Sequence, residues 1–400
     1  MARYTKVNRG TCFKENMKKL MLFIKREIVL SIAIVLAAVS AISVHPDAQY
    51  PGYIDFRTLA VLFCLMTVVA GFRKLGFFDL LAEKLLARTK TVAGIAFVLV
   101  FLCFFLPMVI TNDVALITFV PFTITIMHKM EEKLRRKWML RVIIMQTLAA
   151  NLGSMFTPIG NPQNLYLFGM SDDTAFAFLR LMFPYTLVSG ILLAGWIILC
   201  VAGSEKNQEK TEIKIIEKTD RKRHFNMGKY IACATLLFIS LLAVGRILPY
   251  EIPFGCVLIY TLLCERSLLK EVDYSLLGTF AALFIFIGNL GRMQGVHELL
   301  QQMVNGREVL TAIVASQFMS NVPAAILLSG FTDQIKALII GTDLGGLGTL
   351  IASMASLISF KYAAGEKEIK TGRYIVVFTI ANIVFLLVLL GLYWAISQTA

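Results

Sequence analysis

Charge is what this chain has least of. Only 16% of its 400 residues are Asp, Glu, Lys or Arg, while 57% are apolar, and a soluble domain of that length could not cover its surface with so few polar groups. Histidine numbers four; none has a companion at metal-ligand spacing, and "HELLQ" at His297 lacks the second His of a helical zinc site. The seven cysteines are scattered through apolar runs without a C-x-x-C pair, which excludes a disulfide framework or zinc ribbon and leaves them as small hydrophobes. There is no Walker loop, serine-nucleophile elbow or haem-attachment motif, so ATP hydrolysis is excluded and no base stands paired with a nucleophile. The chain is not expected to be an enzyme.

What is present is grease. Windows at 27–44, 92–110, 182–203, 228–245 and 375–396 are nearly uncharged, each long enough to cross ~30 Å of hydrocarbon. The first follows 26 residues with eight Lys or Arg and no cleavage site, so it reads as a retained helix rather than a secretory signal. The net charge of +13 reports orientation rather than nucleic acid. With the N-terminus in the cytoplasm, 33 of the 39 Lys and Arg fall on inside segments, the remainder being Arg57, Arg180, Arg246, Arg292, Arg307 and Lys336. That is the positive-inside pattern, and it puts the C-terminus outside. The expectation is a multi-pass protein of the cell membrane with no nucleic-acid partner.

Helices are expected near 27–45 and 54–71, then an amphipathic stretch at "FRKLGFFDLLAEKLLARTK". Residues 92–128 have basic flanks on both sides, so the chain must enter and leave on one side, turning at Thr111-Asn112-Asp113. A helix from about 138 is interrupted at 153–164, and 182–203 returns. The polar run 203–226 reads as a cytoplasmic linker. The second half repeats the order: helices near 228–247, 249–264 and 275–290, an amphipathic stretch, an apolar segment with Ser320-Asn321 at its centre, a helix from 334 interrupted at 341–348, and 375–396. Crossing counts place the two amphipathic stretches on opposite sides, as inverted repeats require. The expected architecture is an all-α polytopic membrane protein with two inverted-topology repeats, about nine spanning helices, two re-entrant hairpins and two discontinuous helices. Its segments are a basic N-terminus (1–26), a first repeat (27–203), a linker (204–227) and a second repeat (228–400).

Backbone that leaves the helix at membrane depth survives only inside protein or beside a wet cavity. Four such breaks in two corresponding pairs point to a transporter's binding centre. Asn112 and Asn321 stand where a second hairpin helix begins, read as N-caps, with Pro323 in the first turn; Asn161-Pro162 repeats the signature. Helix N-termini aimed at one cavity favour an anion, and carbonyls near Thr157 to Gly160 and Gly341-Thr342 suit a sodium ion or proton carrier. Asp113 and Asp343 are the deepest carboxylates: Asp113 is the candidate for coupling, and Asp343 either shares that task or caps a helix.

"TNDVALITFVPF", "GNPQNLYLF", "SNVPAAILLSGF" and "GTDLGGLGTLIASMASLI" resemble the ion transporter superfamily, which contains citrate and dicarboxylate permeases, arsenite-efflux permeases and some sodium/proton antiporters. The resemblance covers about residues 27–396. It implies an elevator-type or rocking secondary carrier, often a homodimer, whose hairpin tips and broken helices hold a small anionic substrate and a coupling sodium or proton. The substrate residues would be Thr111, Asn112, Gly160, Asn161, Ser320, Asn321, Gly341 and Thr342; the coupling residues would be Asp113, Asp343 and Thr157, with no cofactor expected other than a sodium ion if sodium is the coupling ion. Sodium-coupled dicarboxylate carriers typically show Ser-Asn-Thr at both tips, and Thr111-Asn112-Asp113 and Ser320-Asn321-Val322 depart from it, toward the Ala-Asn-Asp tip of the arsenite-efflux and antiporter branch. A cation/proton antiporter and an ion channel stand as rivals.

Overall fold

The computed structural model describes residues 27–89, 91–202 and 226–398, with Met21. The basic N-terminus and nearly all of the expected linker lie outside the described residues, as do Cys12 and His224. All regular structure among the described residues is helical.

The first half opens with α1 (Ile28–Ser43) and a single turn at Tyr50–Tyr53. α2 (Phe56–Lys74) ends on Arg73 and Lys74, cations that suit its negative terminus. A left-handed Gly76 turns the chain into α3 (Phe77–Leu86), which buries Phe78, Ala82 and Leu86 at helical spacing. α4 (Val92–Phe105) starts at Thr91, whose hydroxyl accepts from the Gly94 N–H. α5 (Asn112–His128) completes the first hairpin. α6 (Glu132–Ser154) and α7 (Pro162–Met170) are the pieces of the first broken helix, and α8 (Ala175–Ala202) closes the half.

The second half runs α9 (Met227–Val244), α10 (Glu251–Cys264), α11 (Tyr274–Arg292) and the amphipathic α12 (Gln294–Val304). Its hairpin is α13 (Glu308–Met319) with α14 (Asn321–Ser329), its broken helix α15 (Ile335–Gly345) with α16 (Met354–Ala364), and α17 (Thr371–Ser397) ends the chain. Two expectations are corrected. The second break falls at 346–353, because the helix runs through Gly341 and Thr342 to Gly345. Asn112 and Asn321 are the first helical residues, one step past the caps Thr111 and Ser320.

Among the described residues five helices, α2, α8, α9, α11 and α17, are each long and apolar enough to cross a membrane, and the chain is an all-α polytopic membrane protein. Exposed apolar side chains such as Ile198, Ile231 and Leu387 are what a lipid-facing surface carries.

The described chain forms two compact units. In the smaller, α1 packs against α11: Asn289 donates to Ser40 Oγ and Tyr50 OH, both at 2.9 Å, and Arg292 pairs with Asp47 at 2.7 Å. The larger unit is built around α6, whose residues from Val142 to Ser154 are all buried; a helix enclosed on every side needs no polar face. Both hairpin helices α4 and α5 pack on α6, and α13 and α14 pack likewise on α15. The second pieces then cross over: α7 packs on α14 and α15, while α16 packs on α5 and α6. Each half therefore closes its broken helix against the other half's hairpin.

Candidate functional site

The larger unit's polar centre lies where these exchanges meet. The first N–H groups of a helix have no partner within it, and both hairpins place theirs on the facing break. The Asn112 N–H donates to the Gly160 carbonyl at 3.1 Å, and the Asn321 N–H to the Ala352 carbonyl at 3.0 Å. Gly160 and Ala352 each stand two residues before the second piece of a broken helix, so the two anchors correspond. Ser320 adopts φ 74° and ψ 153°, a region otherwise reserved for glycine; holding a serine there costs about 1–3 kcal/mol, the kind of strain that collects at functional sites.

Side chains complete the exchange. Asn161 Oδ1 accepts from the Asn164 N–H at 3.0 Å and caps α7, which turns its Nδ2 toward Asp343 Oδ1 at 3.0 Å and Ser154 Oγ at 3.3 Å. Gln163 Nε2 reaches the same carboxylate oxygen at 3.4 Å. Asp343 is 5% exposed, and its Oδ2 has no hydrogen-bond partner. From the other half, Asn151 Oδ1 accepts from Asn112 Nδ2 at 3.2 Å and Ser353 Oγ at 3.0 Å, while its Nδ2 donates to Ser356 Oγ at 3.3 Å. Asn151 is thus tied to the start of α16 as Asp343 is to the start of α7. Four helix N-termini, those of α5, α7, α14 and α16, belong to this cluster, each with a partial positive charge of about half a unit.

The model of the family described as citrate transporter matches residues 20–336. The chain belongs to that family. The chain is similar to the inner membrane protein YbiR of Escherichia coli, 33% identical over 79% of this chain and 82% of its own length. A transporter of Methanocaldococcus jannaschii is 31% identical over 84% of this chain and 89% of its own. The P protein of Mus musculus is 33% identical over a third of this chain but only 16% of its own length. This family member is accordingly a multi-pass membrane transporter of the ion transporter superfamily.

Seven of the residues singled out from the family-like motifs lie in the cluster, all of them buried: Thr111, Asn112, Gly160, Asn161, Ser320, Asn321 and Asp343. Thr157 is half-buried and acts as a brace, donating to the Met108 carbonyl at 2.7 Å. Asp113 is half-buried in the first turn of α5 and is not among the hydrogen-bonding partners of Asp343. Gly341 and Thr342 do not supply unwound carbonyls. At Gly341 α15 approaches α13 closely, since a Cβ there would stand 2.8 Å from Val309 Cα, and the Thr342 hydroxyl bonds back to Leu338 O at 2.7 Å.

Asn151, Gln163, Ser353 and Ser356 were not picked out by motif. A signal for them existed in the self-similarity of residues 151–164, "NLGSMFTPIGNPQN", and 343–356, "DLGGLGTLIASMAS", which share Leu, Gly, Thr and Ile at four aligned positions. In that alignment Asn151 faces Asp343 and Gly153 faces Gly345. Away from the centre, His128 does have companions: Glu366 and Glu368 bring ligand atoms within 4.8 Å of one another. The two carboxylates are already engaged there, Glu366 by His128 at 2.7 Å and Glu368 by Arg135 at 2.8 Å.

Proposed function

We propose that this chain is a secondary active transporter that moves a small anion, a carboxylate or oxyanion, and couples it to a sodium or proton gradient by alternating access. The observation that carries the reading is the reciprocal anchoring of each hairpin tip on a broken helix, with each second half-helix seated in the opposite half. Such a centre can be opened to one side or the other by moving a rigid group of helices while its own bonds stay matched. The partial positive ends of four helix starts favour an anion. The carbonyl ends of α6 and α15, together with Asp343, favour the coupling cation. On this reading the halves are inverted-topology repeats, the hairpins are re-entrant, and the basic face lies toward the cytoplasm with the C-terminus outside.

The test is transport in proteoliposomes containing the purified chain. Labelled citrate, succinate, sulfate and arsenite are offered under an imposed sodium or proton gradient, with counterflow against internal unlabelled substrate. Saturable, gradient-dependent uptake with counterflow of one of them is expected; conduction without counterflow would make it a channel. The buried Asp343 oxygen without a partner favours a second reading, exchange of sodium for protons without an anion. Sodium-driven proton movement that persists with no anion present would establish it in place of the first.

A further inference from the structure

On the basic face of the larger unit, between the first turns of α6 and the entry to α17, there is a cavity of about 390 Å³. Six cations line it: Arg136, Lys137 and Arg141 from α6, and Lys367, Lys370 and Arg373 from the turn into α17. Glu368 is the one acidic lining residue, and Arg135, from outside the cavity, holds it at 2.8 Å. Its carboxyl is kept below the ordinary carboxylate range by a backbone hydrogen bond and by Arg135, so it stays ionised but is already matched. Arg136 pairs with Glu132 at 2.5 Å; Lys367, Lys370 and Arg373 have no carboxylate partner among the described residues. The floor is apolar, formed by Met139, Leu140 and Ile369.

Six like charges gathered around one hollow repel one another, and the arrangement is relieved by an anion. The position says which. Arg141 lies beside Cys200 at the end of α8, and α8 and α17 carry bare apolar surface: Leu199 is 72% exposed on α8, Val376 57% and Ile380 58% on α17. α8 and α17 pack together. A soluble phosphate would use the cations and leave that surface unexplained; an amphiphile with a phosphate head and acyl tails uses both. We infer that this cavity is a binding site for an anionic phospholipid, with the phosphodiester held by Arg141, Lys370 and Arg373 and the chains lying along α8 and α17. Basic pockets between membrane helices hold such headgroups elsewhere.

The test follows thermal unfolding of the purified full chain in neutral detergent during titration with phosphatidylglycerol, phosphatidylcholine or inorganic phosphate. Phosphatidylglycerol is expected to raise the melting temperature saturably, with the other two giving no shift, because a ligand of the folded state alone stabilises it. The triple variant Lys367→Gln/Lys370→Gln/Arg373→Gln is expected to weaken the apparent affinity by at least tenfold, since each cation near an anionic lipid is worth about fivefold. Should the triple variant fail to fold, Lys370→Gln alone is read, with a loss of about fivefold. An unchanged phosphatidylglycerol titration in the folded variant overturns the assignment. So does an equal shift from phosphatidylcholine, which means general lipid solvation, or an equal shift from inorganic phosphate, which means a soluble anion site.

Discussion

The two crossing points of the larger unit share a backbone plan and differ in chemistry. In the first half the last turn of α6 carries Asn151, a neutral amide that gives and takes hydrogen bonds with Asn112, Ser353 and Ser356. At the matching place in α15 stands Asp343, which can only accept while ionised and takes its bonds from Asn161 and Gln163. The glycines two residues on differ as well. A Cβ at Gly153 would meet the Phe104 carbonyl oxygen at 1.8 Å, whereas at Gly345 the nearest atom is the Ser316 hydroxyl at 2.5 Å. At these two glycines the first crossing meets backbone and the second a side chain, and the second contains the cluster's buried carboxylate. Repeating a fold therefore does not repeat its electrostatics.

The sharpest way to break that comparison is by volume. Gly153→Ala drives a methyl into the α4 backbone, which cannot yield without moving the helix, and should cost about 3 kcal/mol or more. Gly345→Ala asks mainly that Ser316 re-orient and should cost about 1–2 kcal/mol. Thermal unfolding in detergent reads both, and equal losses would mean that the two crossings are locked alike.

Charge comes next. Asn151→Asp places a second carboxylate beside acceptors that had faced an amide, and the lost donors should cost about 2 kcal/mol. Asp343→Asn keeps the shape, and Asn161 and Gln163 can still donate to its Oδ1, so stability should change by no more than about 1 kcal/mol. Gradient-driven uptake should nonetheless fall at least tenfold, a loss of about 1.4 kcal/mol of coupling or more. Retained coupling in Asp343→Asn would move the charge-bearing role elsewhere, with Asp113 the next residue to test.

The tips give a finer reading. Asn112→Ala removes the side-chain bond to Asn151 but leaves the backbone bond to Gly160, for a loss of about 1 kcal/mol. At Asn321 the backbone bond to Ala352 likewise survives truncation, and no bond to Asn151 is lost. Asn321→Ala should therefore cost less than Asn112→Ala in unfolding while depressing uptake to a similar degree. Opposite ranking in the melting temperatures would reverse the assignment of the tighter tip.

A control outside both crossings has the smallest effect. Glu265, beyond the end of α10, is held by Lys229 at 2.6 Å and Lys74 at 2.5 Å. Hydrogen bonds from Lys229 and then Lys74 pull its pKa down to about 2 from an ordinary value of 4.5. A folded-state pKa below the unfolded one gives stability that is whole above about pH 4.5 and is lost as the pH falls toward 2. Glu265→Gln should flatten that acid limb of the melting profile and leave pH 6–8 uptake unchanged. A changed uptake would tie the basic face to the transport centre.

Several of these features were legible in sequence because they are local. Basic residues flanking 92–128 and Asn161-Pro162 after an interrupted apolar helix each act within a few residues, and the structure has two helices joined by a turn and a helix start there. Sequence alone puts the second break five residues early, at 341 rather than 346, because glycines at 341 and 345 look like helix breakers. In the fold, close approach to α13 requires their missing side chains, and the helix continues through them.

Composition and periodicity by themselves determined that this chain lives in a membrane, that it is helical, and where its apolar helices lie. Hydrophobicity adds along the chain, so it can be summed without knowing what touches what. Only the tertiary structure decided that Asp343 rests on Asn161 and Gln163, some 180 residues away, that Asn151 takes the corresponding place, and that six cations converge on one hollow. Those pairings depend on which helix faces cross, and a buried polar group accepts whichever partner the packing delivers, provided it is not left unmatched.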